Sequence, residues 1–188
     1  IELGCSYNQL TTLDVSNNTS LEYLNCSDNQ LTSLNVSNNS SLTGLGCHNN
    51  QLISLDVSSN HNLTSLAAWN NSLVSVSLST SAYYYHVDLS GNPLTFLDLT
   101  NTLFADTSNS LCLYSNPNLY CVQVNDTINY YLYDSSIVSY TTPIWSGDFG
   151  CIDPWINFSS NCATAFGCTD QTALNYDPLA TINDSSCP

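Results

Sequence analysis

Three consecutive stretches repeat one pattern every 21 residues: CSYNQLTTLDVSNNTSLEYLN from Cys5, CSDNQLTSLNVSNNSSLTGLG from Cys26 and CHNNQLISLDVSSNHNLTSLA from Cys47. A fixed period of this length constrains the fold more than any other feature. One copy cannot cover its own apolar side, so copies must stack into a coil. Aligned at 21, one column holds Cys5, Cys26, Cys47, Ala68 and Leu89. Three residues on stand Asn8, Asn29, Asn50, Asn71 and Asn92, and two further on Leu10, Leu31, Leu52, Leu73 and Leu94. The pattern restarts at Leu111-Cys112-Leu113 with Asn116, after an insertion near FADTSNS.

Each unit reads L-x-x-L-x-C-x-x-N-x-L-x-x-L-x-V-x-x-N. The L-x-C and L-x-V pairs alternate in and out, as short strands do. Stacking then buries a continuous apolar core, at roughly 1.5–3 kcal/mol per aliphatic side chain. The asparagine column is expected to bond backbone groups that a tight turn leaves unpaired. A second column, Asn18, Asn39 and Asn60, repeats this at the opposite bend, with these side chains inward. Half-repeats of 10 and 11 residues predict strands on both sides of a flattened parallel β-solenoid. Cys5, Cys26 and Cys47 are read as free thiols that replace leucine in the core.

This pattern resembles a leucine-rich repeat across roughly residues 1–124, and is most similar to the irregular 21-residue class of secreted bacterial surface proteins. The resemblance implies a mainly β leucine-rich-repeat solenoid of parallel short strands, closed by a C-terminal cap. The stretch NPNLYCVQVND…WSGDFGCIDPWINFSSNC looks like the closing segment of the same family and implies a Cys121–Cys162 disulfide. Cys112 falls at an outward strand position, so Cys151 is its natural partner. The last stretch, GCTDQTALNYDPLATINDSSC, is similar to a Cys-bounded module of bacterial surface proteins that resembles thrombospondin type 3 repeats. That implies a Cys168–Cys187 bridge and Ca²⁺ ligands at Asp170, Asp177, Asn183 and Asp184. Asn183 stands where the module has Asp and Ser185 where it has Gly, which leaves a plain disulfide loop as the other reading. The expected organisation is a solenoid over 1–124, a disulfide cap over 125–166 and a small acidic module over 167–188.

Charge limits the partners. The chain has 15 Asp and Glu, no Lys or Arg, and a net charge of -15. Without cations it cannot neutralise phosphates, so nucleic acid and anionic membranes are excluded as electrostatic partners. No apolar run is long enough for direct membrane insertion. The carboxylates must be solvated, capped by backbone N–H groups, or held by a cation such as calcium. Six of nine cysteines lie off-period in the last 80 residues. An even set of this kind suits three disulfides and a secreted, extracellular protein.

Outward positions supply the candidate binding surface. Asp14, Asn35, Asp56, Ser77 and Asp98 form one column, which reads either as a solvated sheet face or as a site for Ca²⁺ or sugar hydroxyls. Tyr83, Tyr84 and Tyr85 replace the polar bend of earlier copies and read either as a surface for protein or sugar recognition or, for one or two of them, as filling of the coil. Sequons are dense, with Asn17, Asn25, Asn35, Asn38, Asn62, Asn70, Asn125 and Asn157 as candidate acceptors. Thr127, in the triplet Asp126-Thr127-Ile128, resembles an O-glycosylation motif of secreted bacterial proteins. His48, His61 and His86 lie in different coils at different phases, and there is no Gly-rich phosphate loop. The chain is therefore read as a non-enzymatic adhesive or structural module with a protein or glycan ligand or a second copy of itself, as in a surface assembly or filament. A calcium-dependent carbohydrate-binding module, built on the Asp/Asn column and the tyrosines, is the alternative. The sequence opens inside a coil, so the edge from Ile1 to Cys5 is expected to be covered by a preceding segment or another subunit.

Overall fold

The computed structural model describes residues 1–104, 111–124, 152, 156–159, 162, 166–167, 172 and 182–183. The strands of the first four repeats are β1 (Glu2–Gly4), β2 (Tyr23–Asn25), β3 (Gly44–Gly46), β4 (Ser54–Asp56), β5 (Ser65–Ala67) and β6 (Ser75–Ser77). Then come β7 (Tyr83–Tyr84), β8 (His86–Asp88), β9 (Leu97–Asp98), β10 (Leu103–Phe104), β11 (Leu111–Cys112) and β12 (Cys121–Gln123). Three short strands follow: β13 (Asn157–Ser159), β14 (Phe166–Gly167) and β15 (Ile182–Asn183).

The leucine that opens each L-x-C pair fixes the main sheet. Leu3, Leu24, Leu45, Leu66, Val87 and Leu111 align in one column across six parallel strands, in the order β1-β2-β3-β5-β8-β11. From Leu24 onward this column is buried. The next inward column holds Cys26, Cys47, Ala68, Leu89 and Leu113, all at 0% exposure. Cys5, Cys26 and Cys47 are free thiols; Cys26 and Cys47 fill core volume as the sequence predicts, and Cys5 is half-buried against it. The chain is a mainly β solenoid of 21-residue turns.

The two bends are held differently. At the first, Asn50 Nδ2 donates to Cys26 O, Cys47 O and His48 O, while its Oδ1 accepts from Leu31 N at 2.9 Å. Asn29, Asn71 and Asn92 make the same set one coil apart. The residue before each of these asparagines has positive φ: Tyr7, Asp28, Asn49, Asn70, Gly91 and Ser115 lie between 50° and 65°. Only at Gly91 is the side chain absent, and a Cβ there would collide with Asn70 Oδ1. At the second bend Asn39 Nδ2 donates to Val15 O and Asn18 O, and Asn60 Nδ2 to Val36 O and Asn39 O.

Three expectations need correction here. Asn18 is exposed. Strands do not run along the whole second side. β4 pairs with β6 and β9-β12-β13 form a three-stranded sheet, but residues 12–14 and 33–35 form no strand. The early coils meet there through Gln30 N to Leu10 O and Gln51 N to Leu31 O, both 2.9 Å, and through Leu34, Leu55 and Val76. Apolar contact holds that side without a full ladder. Tyr84, expected at the surface, is wholly buried. It occupies the position of Leu21, Leu42 and Leu63, 21 residues on from the last. Its hydroxyl accepts from Ser79 N at 3.1 Å, in the coil where the second asparagine column gives way to Ser81.

Cys121 and Cys162 form a disulfide with Cα atoms 5.8 Å apart, at the end where β12 meets β13. Cys112 is aligned with outward Asp88 and is also disulfide-bonded; Cys151, its expected partner, lies outside the described residues, as do Cys168 and Cys187. Most of the expected cap and acidic module lies there too.

Candidate binding face

The six-stranded sheet has an outward face whose centre lacks side chains beyond Cβ or a hydroxyl. Two outward columns cross it: Glu2, Tyr23, Gly44, Ser65 and His86, then Gly4, Asn25, Gly46, Ala67, Asp88 and Cys112. Gly44, Gly46, Ser65 and Ala67 thus leave a shallow floor two strands wide. The Tyr23 ring lies down onto one end of that floor. A Cβ on Gly44 would meet its Cδ2 at 2.5 Å and Cε2 at 2.7 Å, so only glycine lets the ring settle there. Tyr85 and His86 stand at the far end of the floor.

Past the carboxyl ends of β3 and β5 the outward parity continues to His48 and Trp69. Their rings stack at 4.3 Å with an interplanar angle of 11°. Asp28 backs this pair, with His48 Nε2 3.7 Å from Asp28 Oδ2, a contact that is ionic only when the imidazole is protonated. Asn49 Nδ2 donates to Asp28 Oδ1 at 2.8 Å, and Asn70 Nδ2 to Asn49 Oδ1 at 3.2 Å, which ties three bends together at one edge of the face. The other edge is the column Glu22, Thr43, Thr64 and Tyr85. There Thr43 Oγ1 donates to Glu22 O and Thr64 Oγ1 to Thr43 O, both 3.0 Å. On the floor's own strands Asn25 Oδ1 accepts from Ser27 N, and Asp88 Oδ1 from Ser90 N. The Asn25 amide and the Ser65 hydroxyl remain on the floor beside the ring faces.

The column singled out from sequence takes part in turns. Asp14, Asn35, Asp56 and Asp98 are exposed, and each Oδ1 accepts the backbone N–H two residues on, at 2.7–3.0 Å. These are Asx turns, which open the second bend. Bonds from Ser16, backbone first, hold the Asp14 carboxyl below its ordinary range, and the Ser58 hydroxyl and N–H do the same for Asp56. Among the described residues no group of three His, Cys, Asp or Glu is placed to hold a metal. Asp170, Asp177 and Asp184 lie outside the described residues, and of Asn183 only its place in β15 is described.

Of the three tyrosines, Tyr83 and Tyr85 are exposed and meet edge to face at 5.7 Å, while Tyr84 packs inward near Phe104. Leu103, paired with Tyr83, is exposed beside it. The sequons differ in availability. Asn17, Asn35, Asn38, Asn62 and Asn70 are all exposed, and the amides of the last three donate to Ser16 O, Ser40 O and Asn49 Oδ1. Asn25 is half-buried, Asn125 and Thr127 are outside the described residues, and Asn157 is placed only as the start of β13. Tyr23, His48, Trp69 and the small residues between them were not singled out from sequence. Their one signal was position, since they occupy outward phases of the period.

No protein-family model matches the chain, and no curated protein matches it. It is similar to a solved structure described as the functional domain of InlJ from Listeria monocytogenes, which includes a cysteine ladder. Identity is 28% and the TM-score 0.45, over 65% of this chain and 35% of that one, so this chain spans about a third of the matched structure. Among the described residues no helix is long and apolar enough to cross a membrane.

Proposed function

We propose that this protein is a non-enzymatic binding module that works outside the cell and engages its ligand on the outward face of the six-stranded sheet. One observation carries the reading: a floor of Gly44, Gly46, Ser65 and Ala67 bordered by Tyr23, Tyr85, His86 and the stacked His48–Trp69 pair. Aromatic side chains give large contact area at low entropic cost, and a parallel stack of coils holds them rigidly. The Cys121–Cys162 bridge and the bonded Cys112 support an oxidising location, where such bonds persist.

The test is attachment. Beads coated with the protein are offered arrayed extracellular proteins and glycans, with and without chelator. The variant Ser65→Tyr, which fills the floor from a half-buried outward position, is expected to abolish attachment while circular dichroism stays unchanged. Attachment that survives Ser65→Tyr would rule the face out. Loss with chelator alone would favour the calcium-dependent carbohydrate module.

A further inference from the structure

From the chemistry of the same face, and resting on the reading above, we infer that its partner is a cationic protein segment that lays an arginine or lysine side chain across the floor. The floor bears ring faces beside Ser65 and the Asn25 amide, and carboxylates stand at both of its ends. A guanidinium or ammonium pairs with such carboxylates and stacks on such rings.

Charge points the same way. Glu2 and Glu22 lie beside Tyr23 at one end of the floor and Asp88 beside His86 at the other. The Ile1 ammonium lies 3.2 Å from Glu22 Oε1, and the chain has no lysine or arginine to neutralise Glu2 or Asp88. Cations bind over the faces of Trp and Tyr, and arginine does so most often. From Tyr23 to His86 the face spans three strand spacings, about 14 Å, enough for one extended arginine lying flat. A second copy of this sequence brings no such cation, so like charge opposes self-association on this face.

The experiment uses a fluorescent Gly-Ser peptide with two central arginines and its uncharged citrulline counterpart, read by anisotropy against the intact chain. The arginine peptide is expected to bind at low salt, weaken as salt rises, and lose at least about 5-fold in affinity when citrulline replaces arginine. The exposed and half-exposed charges are removed in Glu22→Gln/Asp88→Asn, which should weaken binding by a similar factor. Asp14→Asn/Asp56→Asn on the far side should leave it within about 2-fold. Equal binding of the two peptides, or equal loss from both charge variants, would overturn the cationic partner. If both peptides bind equally and Ser65→Tyr still abolishes binding, the face stands and the cation is wrong. If Ser65→Tyr changes nothing, the face itself fails.

Discussion

Replacing Asn50 by alanine tests whether the asparagine ladder holds the coils or merely decorates them. Asn50 is buried and makes four bonds, two to the preceding coil at Cys26 O and Leu31 N and two within its own bend at Cys47 O and His48 O. Their loss is unequal. Cys26 O keeps the amide of Asn29 at 3.1 Å, and Cys47 O keeps that of Asn71 at 3.1 Å. Leu31 N has no comparable substitute, so a buried N–H is left unpaired at about 1–3 kcal/mol. With a smaller amount for each weakened carbonyl, the total comes to about 3 kcal/mol. Asn8→Ala removes two bonds in the exposed first coil, to Cys5 O and Ser6 O, and should cost less than about 1 kcal/mol. Asn50→Asp keeps the shape but turns a carboxylate toward three carbonyl oxygens, so it should be worse than alanine. Urea unfolding followed by circular dichroism measures all three. Equal midpoints for Asn8→Ala and Asn50→Ala would refute the reasoning, as would an aspartate better tolerated than alanine.

Tyr84→Phe keeps the buried ring but strands Ser79 N–H, so it should cost about 1–3 kcal/mol, while Tyr83→Phe at the surface should cost under about 0.5 kcal/mol by the same unfolding assay. Burial, with Cys5 nearby, pushes the Cys26 thiol from 9.0 up to about 12. Its neutral form is favoured by folding, so stability is intact below pH 9.0 and falls as pH rises toward 12, by about 4 kcal/mol. Cys26→Ala, which imitates Ala68 two coils on in the same column, should lessen that alkaline loss in thermal melts. Asp56 titrates below 3.8 in the folded chain, so its contribution is present above that value and lost as pH falls through the folded pKa. Asp56→Asn keeps the Asx turn as Asn35 does, and the variant's melts should vary less with acid between about pH 5 and about pH 2. Calcium should raise the melting temperature through Asp170 and Asp177; no change, or an unchanged response in Asp177→Asn, returns the C-terminal module to a plain disulfide loop.

What the period holds constant was readable, and what it lets vary was not. Leu24, Leu45 and Leu66, the thiols of Cys26 and Cys47 and the asparagine column are each fixed by stacking, so repetition exposes their role directly. Tyr84 was readable by the same logic, since it stands in the leucine column; its two tyrosine neighbours made it look like part of a surface run. Asp14 and Asp56 suggested ligands because carboxylates draw attention, yet the serine two residues on signalled an Asx turn. The face was hardest. Tyr23, Gly44, Ser65 and His86 share one column but no chemistry, and a search for sameness passes over such a column. Only the settled Tyr23 ring and the His48–Trp69 stack give that variation a shape.

The staple between Cys121 and Cys162 changes what tension does to this molecule. Neighbouring coils are joined by parallel ladders, so a pull along the stacking axis peels them one at a time. Each detached coil lengthens the tether by 21 residues, about 70 Å when extended. Chain between the two bonded sulfurs, a separation of 41 residues, cannot pay out at all. An anchored protein of this kind would yield stepwise from its disulfide-free end and hold fast at the other, a graded spring with a built-in stop.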